Sequence, residues 1–226
     1  NFVTNGPISW NKEYWVAGQN KGDSGHGTHV AGTVAAVNNN GKGVAGIAGG
    51  SGKGDGVRLM SCQIFSGEDM NKTGSAVAIA RAIRYAADMG AAIIQCSYGY
   101  SSGRFVSDNQ YTSLSSLEKE AIDYFTKHKA NCPALSYGNL AIFASGNDAA
   151  PRSAYPGAYR DYISVTAFAP NFMPAYYTNF GPGCNIAAPG GDYLIAVDKS
   201  RTSSQILSTM PSEVNGGEDY GFSQGT

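Results

Sequence analysis

An α/β fold, with a mostly parallel sheet carrying helices on both faces, is predicted by three observations. Short apolar runs of strand length alternate with longer stretches in which apolar residues recur at helical spacing. Turn residues separate the runs, and glycine is abundant, with 30 in 226 residues. Hydrophobic residues make up 42% of the chain and charged residues only 15%, enough to build one large core without a second domain.

The elements follow in order. The opening is irregular and holds Trp10, Tyr14 and Trp15. Residues 28–37 are predicted helical, with Val30, Val34 and Val37 on one face. Residues 57–65 have the length and composition of a strand. Residues 74–89 place Val77, Ile79, Ala80, Ile83, Ala86 and Ala87 at helical spacing, with Thr73 as N-cap and Gly90 as stop. A strand at 91–96, a helix at 117–129 and strands at 140–144, 163–167 and 185–188 complete the series. The serine-rich stretch 100–117 is predicted to be a surface loop, as are 200–204 and 212–218.

Composition excludes several function classes. A formal net charge of −1 gives no basic surface for nucleic acid and no polyelectrolyte tail. No apolar run approaches the roughly 18 residues of a membrane span, and the start lacks a basic-then-apolar targeting segment. Cys62 and Cys96 lie in apolar runs, Cys132 and Cys184 in loops. Their spacing matches no zinc or redox motif, which leaves free thiols or a disulfide.

Chemistry concentrates in a few short motifs. Ser24-Gly25-His26-Gly27-Thr28-His29-Val30-Ala31-Gly32 sets His26 between glycines at the mouth of a small-residue helix, an arrangement suited to moving protons. In open α/β sheets, sites gather beyond the carboxyl ends of strands. Two such positions carry Ser97-Tyr98-Gly99 and Ser145-Gly146-Asn147-Asp148. His26 and His29 are three apart; hydrolytic zinc motifs space two histidines four apart with a glutamate between, and that glutamate is missing, so no metal ligands are assigned. His29 is predicted to be a helix residue hydrogen-bonded inside the fold.

These blocks resemble the subtilisin-like serine peptidases (subtilases). The resemblance runs from Gly22 to Thr226, and through Tyr155-Pro156-Gly157, Tyr177-Thr178-Asn179-Phe180-Gly181 and Ala187-Ala188-Pro189-Gly190. It is weak in the first twenty residues and over 100–139, and Gln95 stands where many subtilases have asparagine. It implies that His26 is the catalytic base and Asn147 the oxyanion-hole amide. It implies further that Ser97, Tyr98 and Gly99 pair with substrate backbone, with Ala144, Ser145 and Gly146 walling the primary specificity pocket and Ala154 near its floor. The 177–181 segment is implied to be structural, and Phe65 falls either at the second subsite or in the core.

In the family, a Gly-Thr pair such as Gly225-Thr226 precedes the nucleophilic serine, and the triad aspartate lies on a strand well upstream of the histidine. Only 25 residues precede His26 here. The resemblance therefore implies that residues 1–226 form a single truncated peptidase domain, incomplete at both ends, with the triad Asp and Ser outside it. Asp23 is too near His26 in a glycine turn to reach the far ring nitrogen. The Gly22-Asp23-Ser24-Gly25 echo of chymotrypsin-like serine blocks conflicts with the α/β pattern.

The implied function is serine endopeptidase hydrolysis of polypeptide substrates by a secreted or cell-envelope (periplasmic) parent. No cofactor is required for the chemistry. Structural calcium near Asn38-Asn39-Asn40-Gly41 is an option the resemblance leaves open. The alternative is a catalytically inactive relative that binds peptides or partners in the same cleft. His26, Asn147 and 97–99 are expected to converge on one cleft. The fragment alone is expected to be inactive and to self-associate.

Overall fold

The computed structural model describes residues 1–8, 25–65, 75–130, 132–195 and 201–226. Its centre is a four-stranded, all-parallel sheet: β1 (Ile93–Cys96), β2 (Leu140–Ala144), β3 (Ile163–Phe168) and β4 (Ile186–Pro189), in that spatial order. The register sets Cys96 beside Phe143 and Phe143 beside Ser164. All strands therefore run the same way, and the loops 97–107, 145–162, 169–185 and 190–195 leave from one end. That end is where an α/β sheet builds its site.

Strand alternation explains the core. Ile94, Cys96, Ala141 and Phe143 share one face and are buried, while Ile93 on the other face is 52% exposed. The buried face meets two helices, α2 (Ala76–Asp88) and α4 (Ser116–Lys127), which pack on each other through Ile79, Ile83, Ala86, Ala87, Ile122 and Phe125. Burying each large apolar side chain here contributes about 1.5–3 kcal/mol. Ser75 caps α2 by accepting from the Ala78 amide at 3.2 Å. Gly90 ends the helix as predicted, with Gly90 N–H donating to the Ala87 carbonyl and Ala91 N–H to that of Ala86.

A second unit pairs β5 (Ile206–Thr209) with β6 (Tyr220–Ser223) as an antiparallel hairpin. The first helix, α1 (His26–Ala35), lies against β5. Its buried residues are His29 and Gly32 rather than the valines, and Val37 is exposed beyond its end. The cause is local: a Cβ at Gly32 would collide with Ser208 and Thr209, so bare backbone lets helix and strand close together. His29 Nε2 donates to the carbonyls of Ile206 and Gly221 at 3.0 and 3.2 Å. His29 is thus the internal, hydrogen-bonded residue the sequence predicts.

Two expectations are corrected. Residues 57–65 form no strand; their backbone makes isolated bonds, such as Val57 N–H to the Ala48 carbonyl, but no ladder. Strand-like composition becomes a strand only where a neighbour pairs with it. Within 100–117 lies a short helix, α3 (Asp108–Leu114), capped by Ser107 accepting from the Gln110 amide and anchored by fully buried Tyr111. The Thr73 cap position, Trp10, Tyr14, Trp15 and Asp23 lie outside the described residues. Cys62, Cys96, Cys132 and Cys184 are all free thiols, and burial pushes the Cys96 thiol up to about 12.

Candidate active site

The loop 145–150 leaves β2 at its carboxyl end. Gly146 has φ +107, and a Cβ there would collide with the Asn179 amide. Only glycine turns the chain this tightly against Asn179. Fully enclosed Ser145 donates its N–H to the Val165 carbonyl at 3.0 Å and accepts at its own carbonyl from Ala154 N–H at 2.7 Å. Its hydroxyl is buried without a hydrogen bond. Ala154 is buried beside Gly146, while Ala144 and Gly146 are half-buried and Asn147 is exposed.

Asn147 is exposed, and its Oδ1 accepts from both the N–H and the Oγ1 of Thr226, at 3.0 and 3.1 Å. Because the Thr226 amide can only donate, the amide orientation follows: Oδ1 is engaged and Nδ2 is the donor end. Gly146 N–H donates to Thr226 Oγ1 at 3.2 Å, and Gly225 N–H to the Gly190 carbonyl. The tip 225–226 is therefore clasped between the loops that follow β2 and β4.

Segment 97–102 lies alongside. Tyr98 packs edge-on against both Phe65 and Phe143. Ser97 Oγ accepts from Gln95 Nε2 at 2.7 Å. Gly99 fits closely against the Tyr155 carbonyl, which accepts Tyr100 N–H at 2.8 Å. Ser102 N–H donates to Asp148 Oδ2 at 2.9 Å, and these Ser102 contacts hold the Asp148 carboxyl below its ordinary range. Phe65 is half exposed and meets Tyr98 at the rim rather than in the core.

Beneath this segment lies an unforeseen polar cluster. Fully buried Glu118 accepts at Oε2 from Tyr111 OH and Ser115 Oγ, at 3.1 and 3.2 Å, and Tyr100 OH bonds Ser115 Oγ at 2.8 Å. Glu118 Oε1 and the Tyr98 hydroxyl are buried without hydrogen bonds. Desolvation raises the Glu118 pKa, an effect partly offset by the surrounding hydroxyls.

His26 opens α1. A Cβ at Gly25 would strike Met210 and Pro211, whereas one at Gly27 would meet open space. Gly25 is therefore set by close packing against the hairpin, not by an unusual dihedral. The His26 side chain is exposed, yet the protein around its ring is enough that desolvation, then the charge of His29, lowers its pKa below the ordinary histidine value. The link from α1 to Asn147 runs through the hairpin: α1 rests on β5, β5 pairs with β6, and β6 leads into Gly225 and Thr226. Among the described residues no three His, Cys, Asp or Glu side chains group to hold a metal ion.

Comparison with known proteins agrees in family. The Subtilase family matches residues 2–226. This chain belongs to the subtilase family. It is 30% identical over 187 residues to the thermophilic serine proteinase of Bacillus sp. (strain AK1), covering 83% of this chain and 39% of that protein. It is 30% identical over 167 residues to thermitase of Thermoactinomyces vulgaris, covering 74% and 50%. With an extracellular protease of Xanthomonas campestris pv. campestris it shares 34% over 182 residues, covering 80% and 28%. This subtilase chain thus spans half or less of the length of these relatives.

Solved structures give the same fold. A protease of Pseudoalteromonas arctica superposes with TM-score 0.57 at 32% identity, covering 91% of this chain and 55% of that one. The self-cleaved protease domain of PatA gives 0.62 at 24%, covering 88% and 60%.

Proposed function

We propose that this subtilase chain is the part of a serine endopeptidase that carries the general base, the oxyanion donor and the substrate-binding walls. The triad Asp and Ser are supplied by the protein outside residues 1–226. The observation that carries this reading is the clasp on Thr226. With its N–H and Oγ1 fixed on Asn147 Oδ1, a residue joined to the Thr226 carbonyl would sit beside the Asn147 amide. A serine there would attack a peptide carbonyl within reach of the Nδ2 donor.

The chemistry follows from residue types. His26 takes the serine hydroxyl proton as the Oγ–carbon bond forms, then delivers it to the leaving amine as the peptide bond breaks. Its lowered pKa keeps the ring neutral, and so able to accept a proton, to a lower pH than an ordinary histidine. Asn147 Nδ2 donates to the oxyanion without offering a transferable proton. Ser97, Tyr98 and Gly99 pair with extended substrate backbone. The uncharged surroundings of Ala144, Ser145, Gly146 and Ala154 favour uncharged side chains at the cleaved residue, since a buried Lys or Arg would lose hydration without a carboxylate partner.

No helix among the described residues is long and apolar enough to cross a membrane. We assign the parent to a secreted or cell-envelope setting, supported by a relative described as an extracellular protease. Calcium is proposed as a structural ion only. Asn38 Oδ1 is a buried acceptor without a hydrogen bond, an oxygen of the kind calcium recruits.

The test is labelling by a fluorophosphonate together with peptide hydrolysis. Full-length protein is expected to do both, and the isolated 226-residue chain to do neither and to run as self-associated species in gel filtration. Full-length protein that binds peptide but neither reacts nor cleaves would favour an inactive peptide-binding relative. Robust cleavage by the isolated chain would contradict the assignment of the nucleophile.

A further inference from the structure

Asn179 belongs to the segment 177–181, to which the resemblance assigns only a structural role. Its side chain is fully buried and uses every hydrogen-bonding position it has. Oδ1 accepts from the Asp148 and Ala150 amides, both at 3.0 Å. Nδ2 donates to the Ser145 carbonyl at 2.8 Å and to Ser102 Oγ at 2.7 Å. Its backbone N–H donates to the Gly146 carbonyl at 3.0 Å. Three of the four side-chain contacts and this backbone one grip residues 145, 146, 148 and 150 on both sides of Asn147. One bond reaches across to the substrate segment at Ser102, which is itself tied back to Asp148.

Resting on the reading that Asn147 is the oxyanion donor, we infer that Asn179 is the positioning residue of this active site. It holds the loop that aims Asn147 and locks that loop, at Ser102, to the segment whose residues 97–99 take the substrate backbone. It touches neither substrate nor reacting atoms. A 3.6-residue helical or two-residue strand pattern would not produce this: the Asp148 and Ala150 amides have no ladder partner, and one side-chain oxygen accepts from both. An oxyanion donor works only when fixed before charge develops, and displacement of about 1 Å can cost on the order of 100-fold in rate.

The experiment measures kcat and KM separately in the full-length enzyme for Asn179→Ala, Ser102→Ala and the reference variant Asn147→Ala, with thermal melts to establish folding. Folded Asn179→Ala is expected to lose roughly 10- to 100-fold in kcat with a smaller change in KM. Ser102→Ala, which removes only the bridge to the substrate segment, is expected to raise KM by roughly 3- to 10-fold with kcat changed less. A loss at Asn147→Ala with unchanged kcat in folded Asn179→Ala overturns the inference and leaves the proposed function standing. If Asn179→Ala does not fold, unchanged KM in Ser102→Ala overturns it. Unchanged kcat in Asn147→Ala overturns the proposed function, and this inference with it.

Discussion

Asn179 and Glu118 are both fully enclosed polar side chains near the carboxyl ends of the strands, and the fold treats them oppositely. Asn179 has a partner for each donor and acceptor, so its surroundings admit one arrangement. Glu118 has both bonds on Oε2, leaving Oε1 and the nearby Tyr98 hydroxyl bare. A fully satisfied neutral amide fixes a loop at any pH. A half-satisfied buried carboxyl holds its proton to higher pH instead.

The comparison breaks first on stability. Asn179→Ala takes the acceptor from the half-buried Asp148 and Ala150 amides and leaves the buried Ser145 carbonyl with the Ala154 N–H alone, and is expected to cost about 2–4 kcal/mol. Glu118→Gln, which removes the cost of a buried charge and can donate to its neighbours, is expected to change stability at neutral pH by about 1 kcal/mol or less, or to raise it. Denaturant melts of the full-length protein check both. Equal losses would show that Glu118 is as fully integrated as Asn179.

The second test is pH. A raised acid pKa means that the folded state holds its proton where the unfolded chain has released it. The stability contributed by Glu118 is therefore complete below the ordinary glutamate value of about 4.3. It falls as pH rises through the raised folded value. The facing groups are Tyr98, Tyr100, Tyr111, Cys96 and Tyr162, all with pKa values raised, so none of them ionises within that window. Melting temperature of wild type minus that of Glu118→Gln is expected to decline with rising pH over this window and then level. A flat difference would mean that Glu118 ionises normally.

A smaller effect concerns Asn38 Oδ1, another buried acceptor without a hydrogen bond. Where Glu118 can be satisfied by a proton, an amide oxygen needs a donor or a cation. Melts with calcium and with chelator are expected to differ by a few degrees, roughly 1 kcal/mol for a chain of this size. Asn38→Ala is expected to abolish the difference. An identical response in the variant would remove Asn38 from any calcium site.

What the sequence made legible follows from periodicity. β2 coincides with the predicted 140–144, and β1, β3 and α2 fall within a few residues of their predicted bounds, because their apolar patterning reports burial directly; α1 and β4 also fall close to theirs, although the valine face of α1 is not the buried one. The strand at 57–65 failed because composition cannot supply a ladder partner. α3 was hidden because Ser107, Asp108 and Asn109, which cap and start it, are equally turn residues. The Subtilase blocks located Asn147 and its loop, but not what holds them. Asn179 looks like a turn residue in sequence and Glu118 like the exposed face of an amphipathic helix. Their importance lies in contacts across 29 to 77 residues of chain for Asn179 and in the packing of three elements for Glu118.

In the proposed function the Thr226 clasp on Oδ1 leaves Asn147 Nδ2 free to face the reaction centre. Its most direct test is the steady-state kinetics of Asn147→Ala in the full-length enzyme. The kcat is expected to fall roughly 100- to 1000-fold with KM little changed, a magnitude taken from removal of the corresponding donor in subtilisin itself. An unchanged kcat, or a loss confined to KM, would contradict it.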